Sequence, residues 1–426
     1  MLWTSIKFDG EEPPFTSCQT WIERSKNLPI DITIDCDYPP EGRPDSEDDE
    51  WVDEDDDPPG YTIDDLKLML SIISPHYARW RVLNITVAEY LYMRVATDAL
   101  AAVPSAPSLE VLQLYHYAEA EEDNDHFVPL NYRDPFPVLF SGIAPKLTDI
   151  ALWGVHISWA GNSFLKGLKD MELAYHAEDV RPTWEEFHRV LSASPDLTVL
   201  SLCQSGPRGY PGEWDTINTR IIELPALKEL LIQYHPPQYI GPLLTRFHIP
   251  NLISLTMDFD SDTDDYSSFA LQLASAPGGN QTKSLLKGLE HLKISGFQCS
   301  REAIDLIYEQ LGNLRSINLN CEYLPKEWFH ALNLPTPSSS STSSFYCPLL
   351  DTVSTSGITG PEMRGFVEIR KNAGVPIKRL YMNEDDAMST DDETWFKSNL
   401  EEFDFFDGDS DTSDEVVEME VDEVLL

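Results

Sequence analysis

Apolar residues along this chain return in one short pattern, apolar-x-x-apolar-x-apolar. Pro107-Ser108-Leu109-Glu110-Val111-Leu112-Gln113-Leu114 carries it, and so does Pro195-Asp196-Leu197-Thr198-Val199-Leu200-Ser201-Leu202. Pro225 to Ile232 and Pro250 to Met257 repeat the shape. The first apolar position falls at Trp80, Leu109, Leu147, Leu168, Leu197, Leu227, Leu252, Leu289, Leu314, Leu350, Ile377 and Leu400, at intervals of 21 to 38 residues. With 42% hydrophobic residues, chance alone gives the bare triad at ~7% of positions, so spacing needs outside support. Proline supplies it. Six of the twelve starts have Pro two residues earlier (Pro107, Pro145, Pro195, Pro225, Pro250, Pro348), where 31 prolines in 426 residues give fewer than one by chance.

Side chains alternate across a strand, so the second and third apolar residues share one face and the residues between them take the other. Proline stops a preceding helix and favours extended backbone before it, which suits the start of a strand. Helical patterns fill the gaps, at Asp64–Ile73, Glu89–Ala102, Thr183–Leu191, Tyr266–Ala274, Arg301–Leu311 and Pro361–Lys371. Thr183 and Ser300 are expected N-caps. Strand-then-helix units of this length, stacked many times, predict an α/β solenoid of leucine-rich-repeat type. That is a horseshoe of parallel strands with helices on the convex side. At ~1.5–3 kcal/mol per buried Leu or Ile, no unit offsets its own ordering entropy, so the stack folds as a whole.

Composition sets the borders of the array. The formal charge of −43 is concentrated: residues 41–57 contribute −10 and residues 384–426 contribute −17. Residues 1–38 are expected to hold the first strands and 39–60 an acidic disordered insert. The solenoid proper is expected over 61–407, with a Ser-rich loop at 335–344, and an acidic disordered tail over 408–426. Acidic loops are expected at Glu119–Asp125 and Asp258–Asp265.

An acidic surface repels phosphate, which argues against nucleic acid and against anionic membranes. The amino terminus lacks a signal-peptide pattern and no apolar run approaches the ~20 residues of a membrane span. The six cysteines form no C-x-x-C pair and read as buried thiols of a reducing compartment. The expectation is a cytoplasmic or nuclear monomer that is not secreted.

Catalytic motifs are missing. There is no H-E-x-x-H, G-x-S-x-G, P-loop or G-x-G-x-x-G in the chain, so no enzyme activity, cofactor or metal is expected. His116 with His126, and His176 with Glu178 and Asp179, are the nearest approaches to metal groupings. Structural histidines are the favoured reading of both. Cys203, Cys299 and Cys321 lie on or just past strands, where small thiols usually pack. Ser389-Thr390-Asp391-Asp392 and Thr412-Ser413-Asp414-Glu415 suit an acid-directed kinase.

A protein-binding face is therefore the expected working surface. Its candidate contacts, on outward strand positions, are Tyr115, Trp153, Glu172, Leu231 and Lys293. Tyr115 and Trp153 stand out because aromatics are the commonest interface anchors. The plainer reading is that both cover a loop or a neighbouring strand.

Leu2-Trp3-Thr4-Ser5-Ile6, then Trp21-Ile22-Glu23-Arg24-Ser25 with Leu28-Pro29-Ile30-Asp31-Ile32-Thr33-Ile34, resembles fungal F-box proteins with leucine-rich repeats. In that family these stretches follow the F-box helices directly. Ala373-Gly374-Val375-Pro376-Ile377-Lys378-Arg379-Leu380-Tyr381 and Leu400-Glu401-Glu402-Phe403-Asp404-Phe405-Phe406 resemble its closing repeats. The resemblance implies the substrate-recognition part of a ubiquitin-ligase receptor, with an unknown protein target. The F-box would precede Leu2, so a cullin–RING adaptor is an expected partner only where an upstream F-box exists. The alternative is a free-standing repeat scaffold with no ligase link.

Overall fold

A computed structural model describes residues 3–8, 10–36, 60–116, 125–214, 221–259, 264–275, 284–334 and 345–406. The expected acidic insert, the Ser-rich loop and the acidic tail fall almost entirely outside the described residues. So do most of the loop at 119–125 and the middle of the one at 258–265. The chain forms two compact units, residues 1–226 and 227–426.

The first unit carries seven strands that pair in parallel and in chain order. They are β1 (Ser5–Phe8), β2 (Ile30–Cys36), β3 (Trp80–Val87), β4 (Val111–His116), β5 (Asp149–Trp153), β6 (Asp170–Ala174) and β7 (Val199–Cys203). Helices α1 (Thr16–Arg24), α2 (Ile63–Ile73), α3 (Tyr90–Ala102) and α4 (Trp184–Ser192) lie between them. A short α5 (Pro211–Trp214) and a two-residue β8 (Ile222–Glu223) follow.

The second unit continues the plan. Its strands are β9 (Glu229–Gln233), the two-residue β10 (Phe247–His248), β11 (Ser254–Asp258), β12 (His291–Ser295), β13 (Ser316–Asn320), β14 (Thr352–Ser356), β15 (Arg379–Asn383) and β16 (Glu402–Phe406). All but β10 form successive parallel pairs. Between them come α6 (Pro237–Leu244), α7 (Ser267–Ala274), α8 (Arg301–Gln310), α9 (Glu327–Ala331), α10 (Gly360–Asn372) and α11 (Thr390–Asn399). Helices of successive repeats pack together, α6 on α7, α7 on α8, α8 on α9 and α10 on α11. This is the α/β solenoid plan that the apolar spacing predicts. No helix among the described residues is long and apolar enough to cross a membrane.

Eleven of the twelve motif starts sit two residues before a strand, and the twelfth, Trp80, opens β3. The leading leucine drops into the core: Leu109, Leu168, Leu197, Leu227, Leu289 and Leu314 are wholly buried. The proline has a role that its helix-stopping reading does not give. It is the second residue of a β-turn closed by the leading apolar residue. Leu109 N–H donates to Ala106 O at 3.3 Å, Leu147 to Ala144 at 3.2 Å, Leu197 to Ser194 at 3.1 Å and Leu350 to Cys347 at 3.1 Å. Proline's fixed φ is preset for that position.

One residue after the turn, a carbonyl ties each repeat to the next. Glu110 O accepts from Thr148 N–H (2.9 Å) and Asp149 N–H (3.1 Å), and Thr148 O accepts from Lys169 and Asp170. Lys228, Ile253, Glu290, Arg315, Asp351 and Lys378 do the same through the second unit. Polar backbone at the turn is thereby satisfied where the chain enters the core.

The expected caps are present. Thr183 accepts from Glu186 N–H in a reciprocal box, and Ser300 accepts from Ala303 N–H. Ser389 of the first kinase-like motif caps α11, accepting from Asp392 N–H at 3.1 Å. The second motif lies outside the described residues.

Candidate functional site

The strand register decides which outward side chains meet. In the first unit Tyr115 stands beside Trp153, and Trp153 beside Ala174. Two residues earlier the row reads Gln113, Ala151, Glu172, and before that Val111, Asp149, Asp170. Tyr115 and Trp153 meet edge to face with ring centroids 5.4 Å apart. Trp153 also meets Tyr175, at 5.7 Å.

Glu172 lies diagonally across from Trp153, within the reach of a long side chain on a sheet. Burial pushes the Glu172 carboxyl above the ordinary carboxylate range, and the neighbouring Trp153 side chain opposes that shift. Ala151, opposite Glu172, and Ala174, opposite Trp153, are both buried.

Three of the five expected contacts, Tyr115, Trp153 and Glu172, thus form one group. Leu231 and Lys293 stand in the second unit, on either side of Thr256 in one row. At the spacing of parallel strands they are about 10 Å apart. Their surroundings are hydroxyl and amide side chains, with Asn318 and Ser354 continuing the row.

Tyr175 belongs with the first group and lies outside the apolar motif. It follows the last residue of β6, has φ of 52°, is 37% exposed, and its N–H donates to Cys203 O at 2.9 Å. Gly154, Gln204, Tyr234, Gly296 and Gly357 occupy the same post-strand place with positive φ. A tyrosine is unusual there, so only the repeated place after each strand could have singled it out.

The outward face differs in one respect from its expected solvated character. Ser201 and Cys203 of β7 are buried, at 5% and 3% exposure. Neighbouring rows of a solenoid sheet shield short side chains, which the alternation rule does not register.

His176 acts as an internal strut, whereas His126 is exposed. His176 Nε2 lies 3.0 Å from Val155 O and its Nδ1 2.9 Å from Ser205 Oγ. His126 Nδ1 lies 3.7 Å from Asp179, which also pairs with Arg133 at 3.1 Å. Among the described residues no group of three or more His, Cys, Asp or Glu side chains is placed to hold a metal ion. Burial pushes the thiols of Cys18, Cys36, Cys299, Cys321 and Cys347 up to about 12. They are protonated at neutral pH and poor nucleophiles.

No family model matches the chain, and no curated protein does. Among solved structures it is similar to a chain of the crystal structure of the Rad7 and Elc1 complex in yeast. The identity is 14%, over 78% of this chain and 86% of that one, with a TM-score of 0.35. A likeness at that score carries no inference about function.

Proposed function

We propose that this chain is a non-catalytic protein-binding repeat protein. It acts as the substrate-recognition part of an F-box type ubiquitin-ligase receptor. The observation that carries the binding half is the Tyr115–Trp153–Tyr175 group with Glu172 beside it, on the outward side of a sheet whose other face is core. Rigid aromatics held by a regular backbone lose little entropy when a partner covers them, which makes them effective anchors. The ligase half rests on the resemblance of residues 2–34 and 373–406 to F-box proteins with leucine-rich repeats.

Two measurements separate these halves. Tagged full-length chain and its Trp153→Ala variant are compared for capture of partners, with circular dichroism and thermal unfolding as the control for folding. The expected result is an unchanged fold and loss of a protein bound by the parent chain. An unfolded variant would make Trp153 a core residue and remove the binding face. Purified cullin adaptor is then added to this chain, and to the chain extended by any in-frame segment encoded upstream. Binding by the extended form alone is expected. Adaptor binding by neither form leaves the free-standing scaffold as the better reading.

A further inference from the structure

We propose that Tyr115, Trp153, Tyr175 and Glu172 form a docking site for an arginine side chain on an extended basic segment of a partner protein. The inference rests on the protein-binding reading above and names its chemistry. Three rings meet side by side, with centroid separations of 5.4 and 5.7 Å around Trp153. A cation above such rings is drawn to their negative faces, and a guanidinium also stacks flat on them.

Glu172 supplies the countercharge. A carboxylate has about four acceptor positions, which suits a forked donor. Its diagonal place beside Trp153 in the sheet sets acid and ring next to the same visitor. Ala151 stands opposite Glu172 and Ala174 opposite Trp153, and neither small side chain adds a competing charge.

Charge complementarity favours this occupant over others. Among the described residues, no Lys or Arg occupies an outward position of β4, β5, β6 or β7. Asp149 and Asp170 stand opposite each other one row away. A phosphorylated or acidic segment would be repelled, and a purely apolar one would bury Glu172 without a countercharge. Arginine fits better than lysine, because an ammonium neither stacks nor donates in a planar fork.

The test uses full-length chain and the peptide Gly-Arg-Gly-Arg-Gly-Arg-Gly, blocked at both ends, in titration calorimetry. Versions with citrulline or lysine in place of arginine serve as probes of charge and shape. Glu172→Gln keeps the shape of the side chain and removes the charge. Glu402→Gln, on an exposed position of β16, removes the same charge in the other unit. We expect Glu172→Gln to weaken the arginine peptide about tenfold, the size of one desolvated charge contact, and Glu402→Gln to change it less than about twofold. The lysine peptide should bind more weakly and the citrulline peptide not measurably.

Equal weakening by the two Gln variants would show diffuse attraction to an acidic chain and overturn the site. Equal binding of citrulline and arginine peptides, or no binding of either, would also overturn it. Because Glu172→Gln leaves the aromatic group intact, the result does not depend on a Trp153 variant folding. If Trp153→Ala loses a captured partner while the arginine peptide fails to bind, the protein-binding reading stands and the arginine site falls.

Discussion

The Arg370 guanidinium donates from Nη2 to the Cys347 carbonyl oxygen at 2.8 Å, deep inside the second unit. Nη1 donates to Leu332 O at 3.1 Å and Tyr346 O at 3.2 Å. Arg370 is fully buried, and its guanidinium donates to carbonyls rather than to a carboxylate. It joins the end of α9 to the turn that starts β14, on the two sides of the segment 335–344. Removing it takes the donor from the Leu332 and Tyr346 carbonyls, each worth ~1–3 kcal/mol when left unpaired, while Cys347 O keeps the Leu350 N–H. Arg370→Met is expected to lower stability by about 3–5 kcal/mol, read from urea unfolding of the second unit. A change below about 1 kcal/mol would show that water replaces the guanidinium.

Gly296 follows β12 with φ of 61°, and a Cβ there would lie 1.4 Å from the Phe259 carbonyl oxygen. No rotamer relieves a clash between backbone atoms. Gly296→Ala is expected to lose more than about 4 kcal/mol. Gly374 has φ of 82° with nothing within 4 Å of its would-be Cβ. Gly374→Ala should lose only the ~1–2 kcal/mol of left-handed backbone. Similar losses at both glycines would mean that conformation alone, and not close packing, sets the need at Gly296.

The repeat was legible because its two signals have different physical origins. Leucines mark burial and prolines mark a turn, and their coincidence at six starts supported a spacing that falls two residues ahead of eleven strands. Helices with a cap and an amphipathic face, such as α4 and α8, were legible for the same reason. Helix α6 was not, because Pro242 inside it reads as a breaker, and burial of Tyr239, Ile240 and Leu243 outweighs the missing hydrogen bond. Tyr115 and Trp153 could be placed on the outward face from alternation alone. Their union with Tyr175 could not, since that depends on register and on a left-handed residue after β6. Nothing in the apolar pattern singles out Arg370 within α10, and only the surrounding carbonyls show its place.

The turn proline and the turn leucine should differ in their contributions. Pro195 stabilises chiefly by restricting the unfolded chain, so Pro195→Ala is expected to lose ~0.4–1 kcal/mol. Leu197, two residues on and wholly buried, fills core, so Leu197→Ala should lose ~2–5 kcal/mol. Urea unfolding curves for the two variants give the comparison. A proline variant as damaging as the leucine variant would show that the ring packs as core and that the turn is secondary.

Two buried histidines give the first unit a defined response to acid. His156 Nε2 is 2.8 Å from Arg133 O and its Nδ1 3.0 Å from the Tyr90 hydroxyl. A carbonyl only accepts, so Nε2 carries the proton and Nδ1 accepts from the tyrosine. His176 is held in the same tautomer between Val155 O and Ser205. Burial pulls His156 down to about 4 and His176 to about 3, against about 6.5 in an unfolded chain. Between those values the unfolded chain binds protons that the folded one does not, so acidification favours unfolding. The stabilisation is fully present above about pH 6.5 and falls by up to ~1.4 kcal/mol per pH unit for each histidine. It levels off below about 4 for His156 and about 3 for His176. Glu172 acts the other way, since its raised carboxyl favours the folded state as pH falls. The decisive quantity is therefore the difference between parent and a His156→Gln, His176→Gln double variant, measured by urea unfolding at pH 7 and pH 5. The parent should lose more stability over that range than the variant. Equal losses would assign the acid response to groups other than these histidines.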